Sequence, residues 1–399
     1  MEINNMLDNT TRNEDLLTLT HSNDTPEKFL RSAVPPVFMN SIHVFDTLEG
    51  FETTPACNNE TFVYGRDGNP TVAVLEKKIA ALEHGTRSIV YASGMAALSA
   101  AIMATCKAGS HIICMDEAYS SIRDAVSFYA DMFGMTATFI TCSDLQELED
   151  SIQDNTRLIV LESPASTFLR VVDLRAIAEI AHRKGCRTYI DNSWATPIFQ
   201  KPLDMGIDIV MHSLSKYIGG HSDIIGGVLT TKDDELNSIL VRKIRDKVGG
   251  LIGPMEAWLV LRSLRTLDLR MREFERTGIA VAAYLEKHPK VRKVYHTSLD
   301  SHPQKELIAR QQTGHSSLMG LTLNTDDEAT VLKFVDNLKL FSKGPAWGSY
   351  SSLVQMPLHR LKKEKLGHLS GDRLVVRLSC GLEGAENIIA DLEQALDSI

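Results

Sequence analysis

The chemistry of this chain starts from a lysine. An apolar run ending in Val210-Met211-His212 passes straight into Ser213-Leu214-Ser215-Lys216-Tyr217, followed by Ile218-Gly219-Gly220. An amine just beyond a buried strand is desolvated. Desolvation lowers its pKa and frees its lone pair to attack a carbonyl, above all an aldehyde, to give a Schiff base. A surface lysine capping a strand has the same local sequence, so Lys216 alone decides nothing.

Four other stretches have chemical potential of their own. Tyr189-Ile190-Asp191 ends an apolar run on a carboxylate. Such a buried acid needs a cationic partner, for instance a protonated ring nitrogen, or it caps the turn before Pro197. Tyr119, in Asp116-Glu117-Ala118-Tyr119, follows a second run and can stack on a flat ring or fill core. Val90-Tyr91-Ala92-Ser93-Gly94-Met95 reads as a strand that ends in Ser-Gly and opens a helix. Small residues there let a phosphate reach backbone N–H groups at the positive end of a helix, or simply allow close helix–strand packing. Neither a Walker lysine motif nor a GxGxxG fingerprint accompanies it. Arg377 interrupts the apolar run Leu374-Val375-Val376-Arg377-Leu378. A buried guanidinium binds a planar carboxylate in two-point fashion, or makes a structural salt bridge. Together these are a Schiff-base lysine, a partner for a ring nitrogen, a ring stacker, a phosphate cradle and a carboxylate clamp. That set fits pyridoxal phosphate with an amino-acid substrate.

The elements needed to position these residues are legible. Short apolar segments at 88–92, 111–115, 136–140, 157–161, 187–191, 208–212 and 224–229 read as seven strands, with helical stretches at 95–106, 119–133 and 174–184 between them. Near-continuous apolar strands joined by helices imply a mainly parallel sheet with helices on both faces. Ligands of such sheets sit beyond the carboxyl ends of the strands, where the candidate residues fall. Residues 1–62 are polar and turn-rich and read as an extended N-terminal arm, which hints at an oligomer. Thr71 is placed to cap a helix over 72–82. After the α/β unit of residues 63–254, the alternation stops. Residues 255–287 read as one long helical stretch; strands at 316–323 and 373–379 and a helix at 383–398 complete a smaller α+β domain over 255–399. Arg377 belongs to that second domain, so the site is expected between the two.

Composition narrows the class further. The chain of 399 residues is 43% hydrophobic and 23% charged, as in an ordinary globular protein. A formal net charge of −9 argues against nucleic acid as a partner. No apolar run reaches membrane-spanning length and the acidic start is unlike a signal peptide, so a cytoplasmic location is expected. The six cysteines, Cys57, Cys106, Cys114, Cys142, Cys186 and Cys380, lack metal spacing and read as core residues of a reducing compartment; no metal site is expected.

In their order and wording, these motifs resemble the cysteine/methionine-metabolism group of fold-type I pyridoxal-phosphate enzymes, from about residue 31 to the C-terminus. That group includes cystathionine γ-synthases, cystathionine β- and γ-lyases and methionine γ-lyases. The resemblance implies the fold-type I transferase-like architecture. It implies Lys216 as the Schiff-base lysine, Ser213, Ser215, Gly94 and Met95 on the phosphate, Tyr119 on the ring and Asp191 on its nitrogen. Arg377 is then the arginine for the substrate α-carboxylate. Tyr64 and Arg66, in Tyr64-Gly65-Arg66-Asp67-Gly68-Asn69-Pro70-Thr71, match residues that reach the phosphate of a neighbouring subunit. A homotetramer follows, a dimer of dimers with shared active sites. In the implied reaction, Lys216 is the base for the α-proton, with Tyr64 and Tyr119 as further proton-handling groups.

Two features bear on the reaction. Ser166, in Glu162-Ser163-Pro164-Ala165-Ser166-Thr167, and Trp347 are similar to bacterial cystathionine β-lyases. The family loop that usually reads Ser-x-Gly-Gly-x-Glu-Ser-Leu is here Ala346-Trp347-Gly348-Ser349-Tyr350-Ser351-Ser352-Leu353. With Ala346 for a serine and Ser351 for the glutamate, a carboxylate beside the distal end of the substrate is gone, which moves acceptance away from plain cystathionine. The expected function is a lyase that eliminates a β- or γ-substituent, carbon–sulfur, from an L-amino acid to give an oxo acid and ammonia. The alternatives are γ-replacement on an activated homoserine and γ-elimination of an unusual non-sulfur group.

Overall fold

The computed structural model describes residues 2–361 and 373–399. Seven strands form its main sheet: β1 (Arg87–Tyr91), β2 (His111–Met115), β3 (Thr136–Ile140), β4 (Thr156–Glu162), β5 (Arg187–Asp191), β6 (Ile209–Ser213) and β7 (Gly227–Thr231). Their order is β1-β7-β6-β5-β4-β2-β3. The run from β6 to β3 is parallel throughout, whereas β7 is antiparallel to both β6 and β1. All five residues of β2 and of β7 are buried. A strand covered on both faces must be apolar on both, and these runs show no polar alternation.

Helices Gly94–Thr105, Ser120–Phe133 and Leu174–Arg183 pack one layer of the core. The opposite layer uses Pro70–Leu82, Pro254–Leu264 and Leu267–Glu286, and draws in Trp194 and Trp347. A second, five-stranded sheet holds β8 (Val291–Tyr295), β9 (Leu318–Leu323), β10 (Ser342–Lys343), β11 (Leu353–Gln355) and β12 (Val376–Ser379), in the order β10-β11-β12-β9-β8. It has its own apolar cluster, which includes Ile388 and Leu392 of the closing helix Ala385–Asp397.

Three local expectations differ from what is found. The start of the arm is not extended: Glu2–Thr20 is a helix of 19 residues. It is seated by polar contacts more than by an apolar stripe. Lys201 Nζ reaches Asp15 at 2.9 Å and Arg12 reaches Asp268 at 3.1 Å, while Leu19 is buried to 1% exposure. A helix docked by charges carries little 3.6-residue hydrophobic signal. The cap of Pro70–Leu82 is Asn69, whose side chain accepts from the N–H groups of Thr71 and Val72. Thr71 instead ties down the arm, donating to Pro36 O at 2.8 Å and accepting from Phe38 N at 2.9 Å. Finally, the single stretch 255–287 is two helices, broken at Arg265 and Thr266.

Candidate active site

The carboxyl ends of β4, β5 and β6 bring Glu162, Asp191 and Ser213 to one edge, with Glu162 opposite Asp191, Asp191 opposite Met211, and Ser213 two residues beyond it. The loop after β6 brings Lys216 back over this edge. A cavity of about 180 Å³ opens there, lined by Ser93, Gly94, Met95, Tyr119, Glu162, Ser166, Asp191, Ser213, Ser215, Lys216, Pro345 and Trp347, among others. Most of the candidate residues therefore share one site, walled on its far side by the second domain.

One end of the cavity is a cradle for an anion. Helix Gly94–Thr105 begins here, with Ser93 Oγ accepting from Ala96 N–H. The N–H groups of its first turn have no partner within the helix and carry positive partial charge. Ser213 Oγ and Cβ lie 3.6 Å from where a Cβ on Gly94 would stand. Behind the turn, the backbone of β7 comes so close that a Cβ on Gly227 would sit 2.4 Å from Ser93 O and 2.7 Å from Gly94 N. Only glycine fits at 227. A lone glycine within a strand is the sequence sign of such a close approach, and it was not among the expected site residues.

The middle of the cavity is acidic. Asp191 accepts from Ser193 N–H at 2.9 Å, so the turn-capping role foreseen for it is also present. Burial pushes its carboxyl up, and Ser193, His212 and Lys216 pull it back. Glu162, also missed, is fully buried. It takes the N–H of Ser166 at 2.9 Å on one oxygen and the N–H of Tyr119 on the other. Burial, then the charge of Asp191, push it up to about 7. Two buried carboxyls in adjacent register call for a cation between them. A protonated ring nitrogen supplies one. The signal was available: Glu162 ends an apolar run just as Asp191 does.

Lys216 faces this pair. Burial and the nearby Arg377 charge lower its amine to about 8, against the opposing pull of Asp191 and Glu162. Its Nζ lies 5.3 Å from the centre of the Trp347 ring. Trp347 in turn packs on Tyr217, with ring centres 5.5 Å apart, and Gly348 holds φ +79 against the Tyr217 backbone. Arg377, on β12, is only 4% exposed. It donates to Gln355 Oε1 at 2.6 Å and to Pro345 O at 3.3 Å. No carboxylate among the described residues is within ion-pair distance of it, so the structural salt bridge considered for it is not formed. Burial lowers its guanidinium to about 10.

The remaining candidates lie at the rim of this cavity or outside it. Tyr119 is 43% exposed, at the mouth of the cavity. Ala346, Ser351 and Arg377 are not among the lining residues; Arg377 meets the wall only through Pro345 O, and Ser351 backs onto Gly381. Tyr64 and Arg66 are outside this cavity and line a separate surface cleft with Asn40, Ser41 and Leu251. Arg66 stacks over Tyr64 at 5.1 Å and donates to Asp246 at 3.1 Å.

The family model described as Cys/Met metabolism PLP-dependent enzyme matches residues 17–397. The chain belongs to this family. An L-methionine gamma-lyase of Fusobacterium nucleatum is 37% identical over 372 residues, covering 91% of this chain and 93% of that protein. The cystathionine beta-lyase MetC of Bacillus subtilis is 36% identical, covering 84% and 86%. The crystal structure of metB from Corynebacterium glutamicum superposes with a TM-score of 0.90 at 29% identity, over 96% of this chain and 97% of that one. As a member of the Cys/Met metabolism family, the protein is a PLP-dependent enzyme with carbon–sulfur lyases among its relatives, and its fold is that of the PLP-dependent MetB. The cavity fits the cofactor: a glycine-lined anion cradle at one end, an acidic pair in the middle and a depressed lysine above. Among the described residues, no helix is long and apolar enough to cross a membrane.

Proposed function

We propose that this enzyme eliminates a β- or γ-substituent, bonded through sulfur, from an L-amino acid, releasing a thiol, an oxo acid and ammonia. The observation that carries the reading is the Trp347 indole, 5.3 Å from Lys216 Nζ, closing one side of a cavity of about 180 Å³. Trp347 and Ser166, the two lining residues in which this chain is similar to bacterial cystathionine β-lyases, shape the space for the substrate side chain, and an L-methionine gamma-lyase and a cystathionine beta-lyase are among the relatives at 37% and 36% identity.

When bound, the cofactor supplies an electron sink that stabilises negative charge at the substrate α-carbon. The protein supplies the rest. The N-terminus of helix Gly94–Thr105, with Ser213 and Ser215, holds the phosphate, and Asp191 holds the ring nitrogen protonated. Arg377 takes the α-carboxylate and so turns the α-hydrogen toward Lys216. Lys216, lowered to about 8, is an amine that can take that proton near neutral pH. The leaving sulfur needs a proton as it departs, and Tyr119 is the phenol at the mouth of this cavity. Ser166 and Trp347 shape the space for the side chain.

The reading includes a shared site within a homotetramer. Tyr64 and Arg66, outside their own cavity, serve that of a neighbouring copy. Two exposed apolar residues lie beside Tyr64: Ile42, bridged to it, is 58% exposed, and Val44 is 88% exposed. The location proposed is the cytoplasm. Incubation with a panel of S-substituted cysteines and homocysteines tests the reaction: thiol and oxo acid should appear in equal amounts. A new carbon–sulfur bond to added thiol, without oxo acid, would contradict it.

A further inference from the structure

Two loops bring Tyr119 and Ser166 to the cavity, and these loops are tied to each other twice. The first tie is Glu162, whose two oxygens take the N–H of Ser166 and the N–H of Tyr119. The second is an ion pair that the chemistry above does not use. Glu117, two residues before Tyr119, has a side chain only 1% exposed. Arg170, four residues after Ser166, places both Nε and Nη2 at 2.7 Å from Glu117 Oε1. Tyr119 stands at the N-cap of helix Ser120–Phe133 and gives it no side-chain cap, so Glu162 and Glu117 fasten the start of that helix instead.

The other side of the tie is held firmly. Ser166 and Arg170 share one closed turn, in which Ala165 N–H donates to Arg170 O and Leu169 N–H donates to Ala165 O, both at 2.9 Å. The second domain grips the outside of this turn. His302 Nε2 is 3.1 Å from Leu169 O, and the Phe168 ring meets Tyr295 edge-on with centres 5.1 Å apart. A buried carboxylate that loses its cation is driven to move toward water. If Glu117 moves, the phenol two residues on moves with it.

We propose that Glu117 and Arg170 are positioning residues, whose ion pair holds the Tyr119 hydroxyl where it can hand a proton to the departing sulfur. This rests on the proposed elimination and on Tyr119 as its proton donor. In that step the carbon–sulfur bond breaks, sulfur keeps the electron pair, and the phenol proton goes to sulfur. Electrons released at carbon by proton loss to Lys216 replace the pair that sulfur carries away, and solvent reprotonates the phenolate. A sulfur that leaves as a weakly basic thiolate needs no such proton, so a displaced Tyr119 matters little to it.

The test gives holoenzyme the S-ethyl and S-nitrophenyl forms of whichever amino acid it accepts, cysteine or homocysteine. Ethanethiolate is strongly basic and needs the proton; nitrothiophenolate is weakly basic and does not. Arg170→Met should lower kcat/KM for the S-ethyl substrate by roughly 10- to 100-fold, the order expected when a reacting group is misplaced by about 1 Å. The S-nitrophenyl substrate should be nearly unaffected, and Tyr119→Phe should show the same selective loss. Arg170→Lys, which keeps a cation on Glu117, should recover most of it. The double variant Glu117→Gln, Arg170→Met leaves no buried charge unpaired and gives the same comparison where the single variant does not fold. Equal losses on the two substrates, or no loss, with a selective loss retained in Tyr119→Phe, would overturn the proposal and leave the reading of Tyr119 standing. Without a selective loss in Tyr119→Phe, that reading itself is wrong and the proposal falls with it.

Discussion

Two glycines at the anion cradle should respond differently to the same added methyl group. At Gly227 a Cβ would lie 2.4 Å from Ser93 O, about 1 Å inside an ordinary contact, and 2.7 Å from Gly94 N. Both neighbours are backbone and cannot rotate away, so the turn that holds the phosphate must shift. Overpacking of this kind costs about 1–3 kcal/mol of stability. Misplacing a binding turn by about 1 Å can cost on the order of 100-fold in function. At Gly94 the added Cβ meets Ser213 at 3.6 Å, which the protein tolerates. The methyl instead projects into the space for the phosphate. Losing one charge-assisted hydrogen bond there costs about 1.5–3 kcal/mol, roughly 10- to 150-fold in cofactor Kd. Titration of apoenzyme with pyridoxal phosphate, followed by visible absorbance, gives Kd; thermal unfolding of the same apoenzyme gives stability. Gly94→Ala should weaken cofactor binding and leave apoenzyme Tm unchanged, whereas Gly227→Ala should lower both. Wild-type cofactor affinity in both variants would refute the placement of the phosphate.

Four shorter predictions follow from the same geometry. Asp191→Asn removes the carboxylate proposed to face the protonated ring nitrogen, and breaking a buried ion pair of that kind costs about 3–5 kcal/mol. It should lower kcat by at least about 100-fold with cofactor still bound, as steady-state rates and cofactor content will show. Arg377→Met should raise KM by roughly 10- to 100-fold through loss of a charged hydrogen bond, with a smaller change in kcat; an unaltered KM would remove the clamp. Lys201→Met leaves the buried Asp15, already raised by burial, without its ion pair at 2.9 Å. A group whose folded pKa is raised favours folding at low pH and loses that advantage as pH rises. The cost, about 3 kcal/mol in urea unfolding, should therefore be larger at high pH than at acid pH. Finally, the rate of apoenzyme reconstitution should rise with pH up to about 8, the value to which burial and Arg377 lower Lys216, and then level off. A rise continuing to the ordinary lysine range would show that Lys216 is not so perturbed.

Much of the fold was readable because its strands are buried on both faces. Runs such as His111–Met115 and Arg187–Asp191 have an apolar centre and are closed by an aspartate, Asp116 after the first and Asp191 at the end of the second, so their limits match the structure. The last strand is displaced, Gly227–Thr231 against 224–229, because Ile224 and Ile225 look like strand residues but belong to the preceding loop, where Ile225 is 70% exposed. Helix Glu2–Thr20 escaped notice because ion pairs, not an apolar stripe, hold it down. Lys216, Asp191 and Arg377 stood out as charged residues where apolar ones were due. Glu162 carried the same sign but was read only as part of a motif. Its importance comes from register with Asp191 and from the N–H of Tyr119, which is remote in sequence, as well as that of nearby Ser166. The role of Gly227 likewise depends on a neighbour more than 130 residues away (about 130, set by the sheet order).

The central claim is that the cavity at Lys216 carries the cofactor. Reduction of the holoenzyme with borohydride fixes the lysine–cofactor bond, and peptide mass spectrometry then locates it. The account predicts one modified peptide, carrying the added mass at Lys216, and loss of the visible band in Lys216→Ala. Attachment at another lysine, such as the buried Lys78 or the half-buried Lys201, or a band unchanged by Lys216→Ala, would contradict it.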